Sequence, residues 1–204
     1  MSISIVYAYS LLVPNALLMP IYGVTFRKVW IGTRFKLVLV LIGLLITASA
    51  AFFVLGIGQY GVVLHLDHSN FDTIFRWTCV SAIGGTFGWV CFNEAHWLLA
   101  FFYFKMAINM PRVIADNDND PPRDYPVIYW TGVLLNAIFP IGWNTFYLVY
   151  FYEMFKNPPA RQWVNDLFSY FSIATLTCLV ISGFILLWSV IKVRTYMLDH
   201  QIEG

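Results

Sequence analysis

Between Arg76 and Lys105 the chain runs for 28 residues, and only Glu94 and His96 among them are acidic or basic residues. A helix of that length rises about 42 Å. That is enough to cross the roughly 30 Å hydrocarbon core of a bilayer with some tilt. Comparable apolar stretches cover about 3–24, 37–58, 125–152 and 167–191, and the polar connections between them are short. Only 11% of the residues are charged, against 59% hydrophobic. An ordinary water-facing surface draws on about a quarter charged residues. The pattern predicts an all-α, polytopic transmembrane helical bundle of about five spans, forming a single transmembrane domain over 1–204.

The first span carries no basic residue ahead of its apolar run and no clear small-residue cleavage site, so it reads as a retained helix. Pro14 and Pro20 are expected to kink or end it, because each removes a backbone donor. The basic residues set an orientation. Arg27, Lys28, Arg34, Lys36, Lys105, Arg112, Arg123, Lys192 and Arg194 fall on one side, and Arg76, Lys156 and Arg161 on the other. Nine against three places the N-terminus outside or in a lumen and the C-terminus in the cytoplasm. No internal repeat is visible, which argues against an inverted-repeat carrier.

Within the third span, Ser81, Gly84, Gly88, Cys91 and Ala95 recur at spacings of three and four. They form one stripe of small residues on a helix. In lipid such a stripe lets two backbones approach closely, and the gain is van der Waals contact. It reads as a packing face within the bundle, with self-association as the other use of the same surface.

Glu94 and His96 flank Ala95, each rotated about 100° from it. They diverge across the stripe, so neither a direct dyad nor a shared metal fits one helix. Glu94 lies roughly 5 Å to the cytoplasmic side of the midplane by residue counting. Asn136 of the fourth span comes to nearly that level, and Asn15 of the first comes close. A carboxyl at this depth is costly unless it faces a partner or a water-filled space. The expected candidate site is therefore a polar intramembrane layer of Glu94, His96, Asn93, Asn136 and Asn15. Pro140 is expected to kink the fourth span and to free the carbonyl near Asn136, which an Asn side chain then satisfies.

Other constellations are weaker. His65, Asp67, His68 and Asp72 offer metal-ligand types without a fixed scaffold. Asp116, Asp118 and Asp120 open like a calcium loop, but Pro121 stands where glycine is required and no Glu closes the loop. Three cysteines in apolar segments (Cys79, Cys91, Cys178) make no disulfide framework. No catalytic, metal or cofactor motif emerges. The expected partners are the lipid bilayer and, through the small-residue face, a second copy or a membrane complex. A net charge of +1 gives no footing for nucleic acid. The leading functional expectation is a non-enzymatic bundle, receptor-like or an assembly subunit. A transporter or channel component built around Glu94 and His96 is the second.

Overall fold

The computed structural model describes residues 2–32, 36–65, 71–114, 124–156 and 161–199. Nearly all of them belong to five α-helices: α1 (Ser2–Gly32), α2 (Lys36–His65), α3 (Phe71–Ile114), α4 (Pro126–Lys156) and α5 (Arg161–Asp199). Every helix outruns its apolar stretch, because the backbone bonds continue into the polar flanks. Pro14 and Pro20 do not end α1, which is helical through both. Each proline takes one donor from the ladder, and the turns on either side hold. The Asn15 amide adds a bond to the Leu11 carbonyl at 2.7 Å.

Four helices, α1, α2, α4 and α5, contain stretches long and apolar enough to cross a membrane. The long third helix falls short in apolarity, with Asn93, Glu94 and His96 lying together in its middle. Its place in the bundle accounts for the difference. α3 packs against α2, α4 and α5, whereas α1 packs chiefly on α2. The helix that lacks such a stretch is thus the one with the most neighbouring helices.

Burial follows the same inversion. Val6, Tyr9, Val13, Leu17, Ile21 and Val24 form an exposed stripe along α1, and Ile173, Val180, Phe184 and Leu187 are exposed on α5. Thr78, Ser81, Asn93, Asn136, Thr175, Ser182 and Ser189 are buried. Apolar surface on this scale needs a partner or a lipid solvent. Several inward hydroxyls close their hydrogen bonds on their own helix: Thr78 to Ile74, Thr175 to Phe171, Ser182 to Cys178 and Ser189 to Ile185, at 2.6–2.9 Å. Such back-bonding needs no water.

The closest approach in the bundle is between α2 and α3. A Cβ on Gly58 would stand 2.6 Å from the Cα of Ser81. One on Gly84 would stand 2.7 Å from the Ala51 carbonyl oxygen and press on the Leu55 backbone. Further along, the Phe52 ring fills the space beside Gly88. These pairs step along the two helices in opposite directions, so Ser81, Gly84 and Gly88 all face α2. Ala95 is buried and Cys91 half-buried on the same helix. At the opposite end of α3, Lys105 pairs with Asp124 just ahead of α4.

Gly84→Ala puts a methyl group against fixed backbone and is expected to destabilise the bundle by about 1–3 kcal/mol. Gly43→Ala, where a Cβ meets nothing within 4 Å, is expected to be neutral or stabilising by up to about 1 kcal/mol. Unfolding midpoints of the two variants in one detergent check the contrast.

Candidate functional site

Trp97 sets the register between α3 and α4. Its indole Nε1 donates to the Tyr129 carbonyl at 3.1 Å, and its ring fills the space beside Gly132. One turn from that contact on each antiparallel helix come Asn93 and Asn136, on the facing surfaces at one level. Both are almost completely buried, at 1% and 2% exposure. The Asn136 Nδ2 donates back to the Gly132 carbonyl at 2.9 Å. Its Oδ1, both side-chain polar atoms of Asn93, and Glu94 Oε1 have no partner among the described residues.

The sequence-expected residues are therefore brought together only in part. Asn93 and Asn136 share a level, and Glu94 adjoins them on α3. The His96 ring lies 5.2 Å from that of Phe92, one turn along its own helix. Asn15 sits on α1, whose main partner is α2, and its amide is spent on Leu11. Around Pro140 the expected pairing also changes. Asn136 and Asn144 each reach back one turn, to Gly132 and to Pro140 itself, instead of to the carbonyl that the proline frees. A side chain four residues on is already in register for that backward bond, as the same geometry at Asn15 and Asn109 illustrates. α4 runs through Pro140 as one helix.

Of the cavities along these helices, two have buried polar side chains on their lining. The first, about 280 Å³, is a largely apolar crevice of α4 and α5 walled by Val127, Ile128, Leu135, Ile181 and Ile185, with Trp97, Asn136 and Ser182 also on its lining. The second, about 260 Å³, is formed by four helices: Leu55 and Gln59 of α2, Ser81, Gly85 and Trp89 of α3, Trp143, Asn144 and Tyr147 of α4, and Phe168 of α5. It lies in the half of the bundle nearest the helix ends at His65, Phe71, Lys156 and Arg161. Gln59 and Phe168 stand roughly 10 Å of helix rise from those ends.

The second cavity has a built polar wall. Gln59 Nε2 donates to Ser81 Oγ at 2.6 Å and to Tyr147 Oη at 3.4 Å, linking α2, α3 and α4. Asn144 Nδ2 donates to the Pro140 carbonyl at 2.9 Å, and its Oδ1 takes the room that a side chain at Gly85 would need. The remaining wall is aromatic. Trp89 and Trp143 centroids are 5.4 Å apart, Trp143 and Phe168 6.4 Å, and Tyr147 and Phe168 6.2 Å. No carboxylate, amine, guanidinium, imidazole or thiol lines the space. Such a wall offers binding surface without a general acid, a base or an activated nucleophile.

Toward the bundle end, Val62, Ile74 and Phe151 form a buried apolar cluster with Phe75 and Trp77 against it. Val62 and Phe151 each lie about one turn beyond Gln59 and Tyr147. Sequence reasoning passed over Gln59, although it is the one carboxamide in the apolar run of α2. That lone polar side chain was the available signal.

Among the described residues no three His, Cys, Asp or Glu side chains gather as a metal-binding group. Asp67, His68, Asp116, Asp118 and Asp120 lie outside the described residues. Cys79, Cys91 and Cys178 are free thiols. No protein-family model, curated protein or solved structure matches the chain.

Gln59→Leu is expected to destabilise the bundle by about 0.6–1.7 kcal/mol, because it strands the buried Ser81 hydroxyl. Adding Ser81→Ala is expected to recover part of that loss, since removing both partners leaves no orphan. A double-mutant cycle read by chemical unfolding checks it; strictly additive losses refute the bond.

Proposed function

We propose that the chain is an integral membrane protein of five spans, with its N-terminus outside or lumenal and its C-terminus cytoplasmic, acting as a non-enzymatic, receptor-like bundle. The nine-to-three distribution of basic residues supports the orientation. α3 counts as a span because three neighbouring helices shield its polar middle from lipid, which a helix of its composition requires. In this orientation the polar and aromatic cavity opens from the outer half of the bundle.

That cavity is the single observation that carries the reading. It joins four helices, and it combines a few placed polar groups with a predominantly apolar wall, as small-molecule sites do. A ligand seated there touches α2, α3, α4 and α5 at once, so it biases their relative packing. Self-association through Ser81, Gly84 and Gly88 plays no part in this reading, since α2 already covers those positions.

A transporter or channel component is the second reading, and the orphaned polar atoms of Asn93, Glu94 and Asn136 favour it. Buried groups of this kind are satisfied by ordered water where protein partners are absent. A conducting path then joins that layer to the outer cavity.

Single cysteines in a background lacking Cys79, Cys91 and Cys178 separate these readings. An impermeant thiol reagent applied to sealed, correctly oriented vesicles is expected to label Asp72→Cys, and to reach Asp124→Cys only after permeabilisation. A small polar reagent is expected to label Asn144→Cys but not Asn93→Cys. Labelling of both from the outer side favours the path, and an unreactive Asn144→Cys overturns the ligand-binding reading.

A further inference from the structure

We infer that the cavity between α2, α3, α4 and α5 takes a small, weakly hydrated organic cation of the quaternary-ammonium type. The inference rests on the ligand-binding reading above and adds the chemistry of the ligand. Four rings line one space: Trp89, Trp143, Tyr147 and Phe168. Their contacts are tilted, at 42°, 53° and 40°, so they do not close face to face on one another. A cation within about 6 Å of a ring centroid is attracted by the ring quadrupole, most strongly by tryptophan.

The rings are held from behind. Phe52 and Phe92 meet Trp89 edge-on at 5.5 and 6.2 Å, and Tyr150 stacks on Phe168 at 6.4 Å. A cage with its side chains already fixed loses little conformational entropy on binding.

Two carboxamides also line the space. Both spend N–H groups inside the protein, Gln59 on Ser81 and Tyr147, and Asn144 on the Pro140 carbonyl, while the Asn144 Oδ1 packs against Gly85. No cationic side chain lines the cavity to repel such a guest. No carboxylate lines it either, which selects against a strongly hydrated cation. A hard cation such as calcium or magnesium needs about six or more oxygen ligands in place of its shell, and this wall has too few. A quaternary ammonium carries a diffuse charge and little bound water, so aromatic faces suffice. The volume, 260 Å³, is that of about nine waters at roughly 30 Å³ each. It suits a guest on the scale of choline.

The test uses the whole chain in lipid nanodiscs with choline as the probe. The comparison is its uncharged isostere, in which carbon replaces the ammonium nitrogen. Tryptophan fluorescence and the thermal midpoint report binding. Choline is expected to bind saturably, about tenfold more tightly than the isostere. Binding is expected to weaken in Trp143→Phe and further in Trp143→Leu, with helicity by circular dichroism retained. Equal binding of choline and isostere overturns the cationic assignment and leaves a ligand cavity standing. If neither binds while Asn144→Cys still reacts with a small thiol reagent, the inference fails alone. If neither binds and that cysteine is unreactive, the receptor-like reading fails with it. Choline binding that is unchanged in a folded Trp143→Leu variant places the cation elsewhere and also overturns the inference.

Discussion

A helix with Asn93, Glu94 and His96 in its middle cannot turn those side chains toward hydrocarbon without a large desolvation cost. The rest of the bundle is arranged around that constraint. α3 takes the interior position, and α2, α4 and α5 enclose it. The enclosing helices present broad exposed apolar surface, as the exposed side chains on α4 and α5 illustrate. α1 is left outside this enclosure and packs on α2. Polarity therefore decides which helix is central, and helix packing decides how closely its neighbours approach.

The close approach of α2 and α3 has a consequence for the candidate site. Where Gly58 meets Ser81 and Gly84 meets Leu55, the backbones leave no room for side chains. Directly beside Gly58, Gln59 reaches across to Ser81 and Tyr147. Large rings from α3, α4 and α5 then stand around that bridge, and they cannot fill the space as short aliphatic side chains would. A cavity beside a tight crossing is the geometric outcome. The apolar cluster of Val62, Ile74 and Phe151 lies about one turn beyond it, toward the helix ends. The pair Asn93 and Asn136 lies deeper and has a different character. Both residues are almost completely buried and carry amide atoms without a hydrogen-bond partner among the described residues.

The apolar stretches and the chemistry of their interruptions were legible in the chain itself. The period of Ser81, Gly84 and Gly88 marked a face of small residues, since helical register depends only on spacing. Asn93 and Asn136 were visible as polar residues near mid-depth. Local geometry decided two details. Pro14 and Pro20 do not end α1, because losing one donor does not break the neighbouring turns. The amides near Pro140 bonded one turn back, because that carbonyl is the nearer one in helical register.

What the sequence by itself determined is the set of helices, their apolar character and the identity of the polar residues they carry. These follow from composition and from a period of 3.6, which are properties of single segments. Which residues meet was decided by the tertiary structure. Nothing local to Gln59, Ser81, Asn144 or Phe168 joins them, since they lie on four different helices and gather only when those helices pack. The exclusion of Asn15 from the polar layer has the same origin, because a depth read along one helix says nothing about which neighbour that helix selects. The third helix stood out in the chain for Glu94 and His96 in its middle. In the folded protein its position is set by those residues together with Asn93, and the cavity it helps to build lies at the level of the small-residue crossing, on the Phe71 side of them.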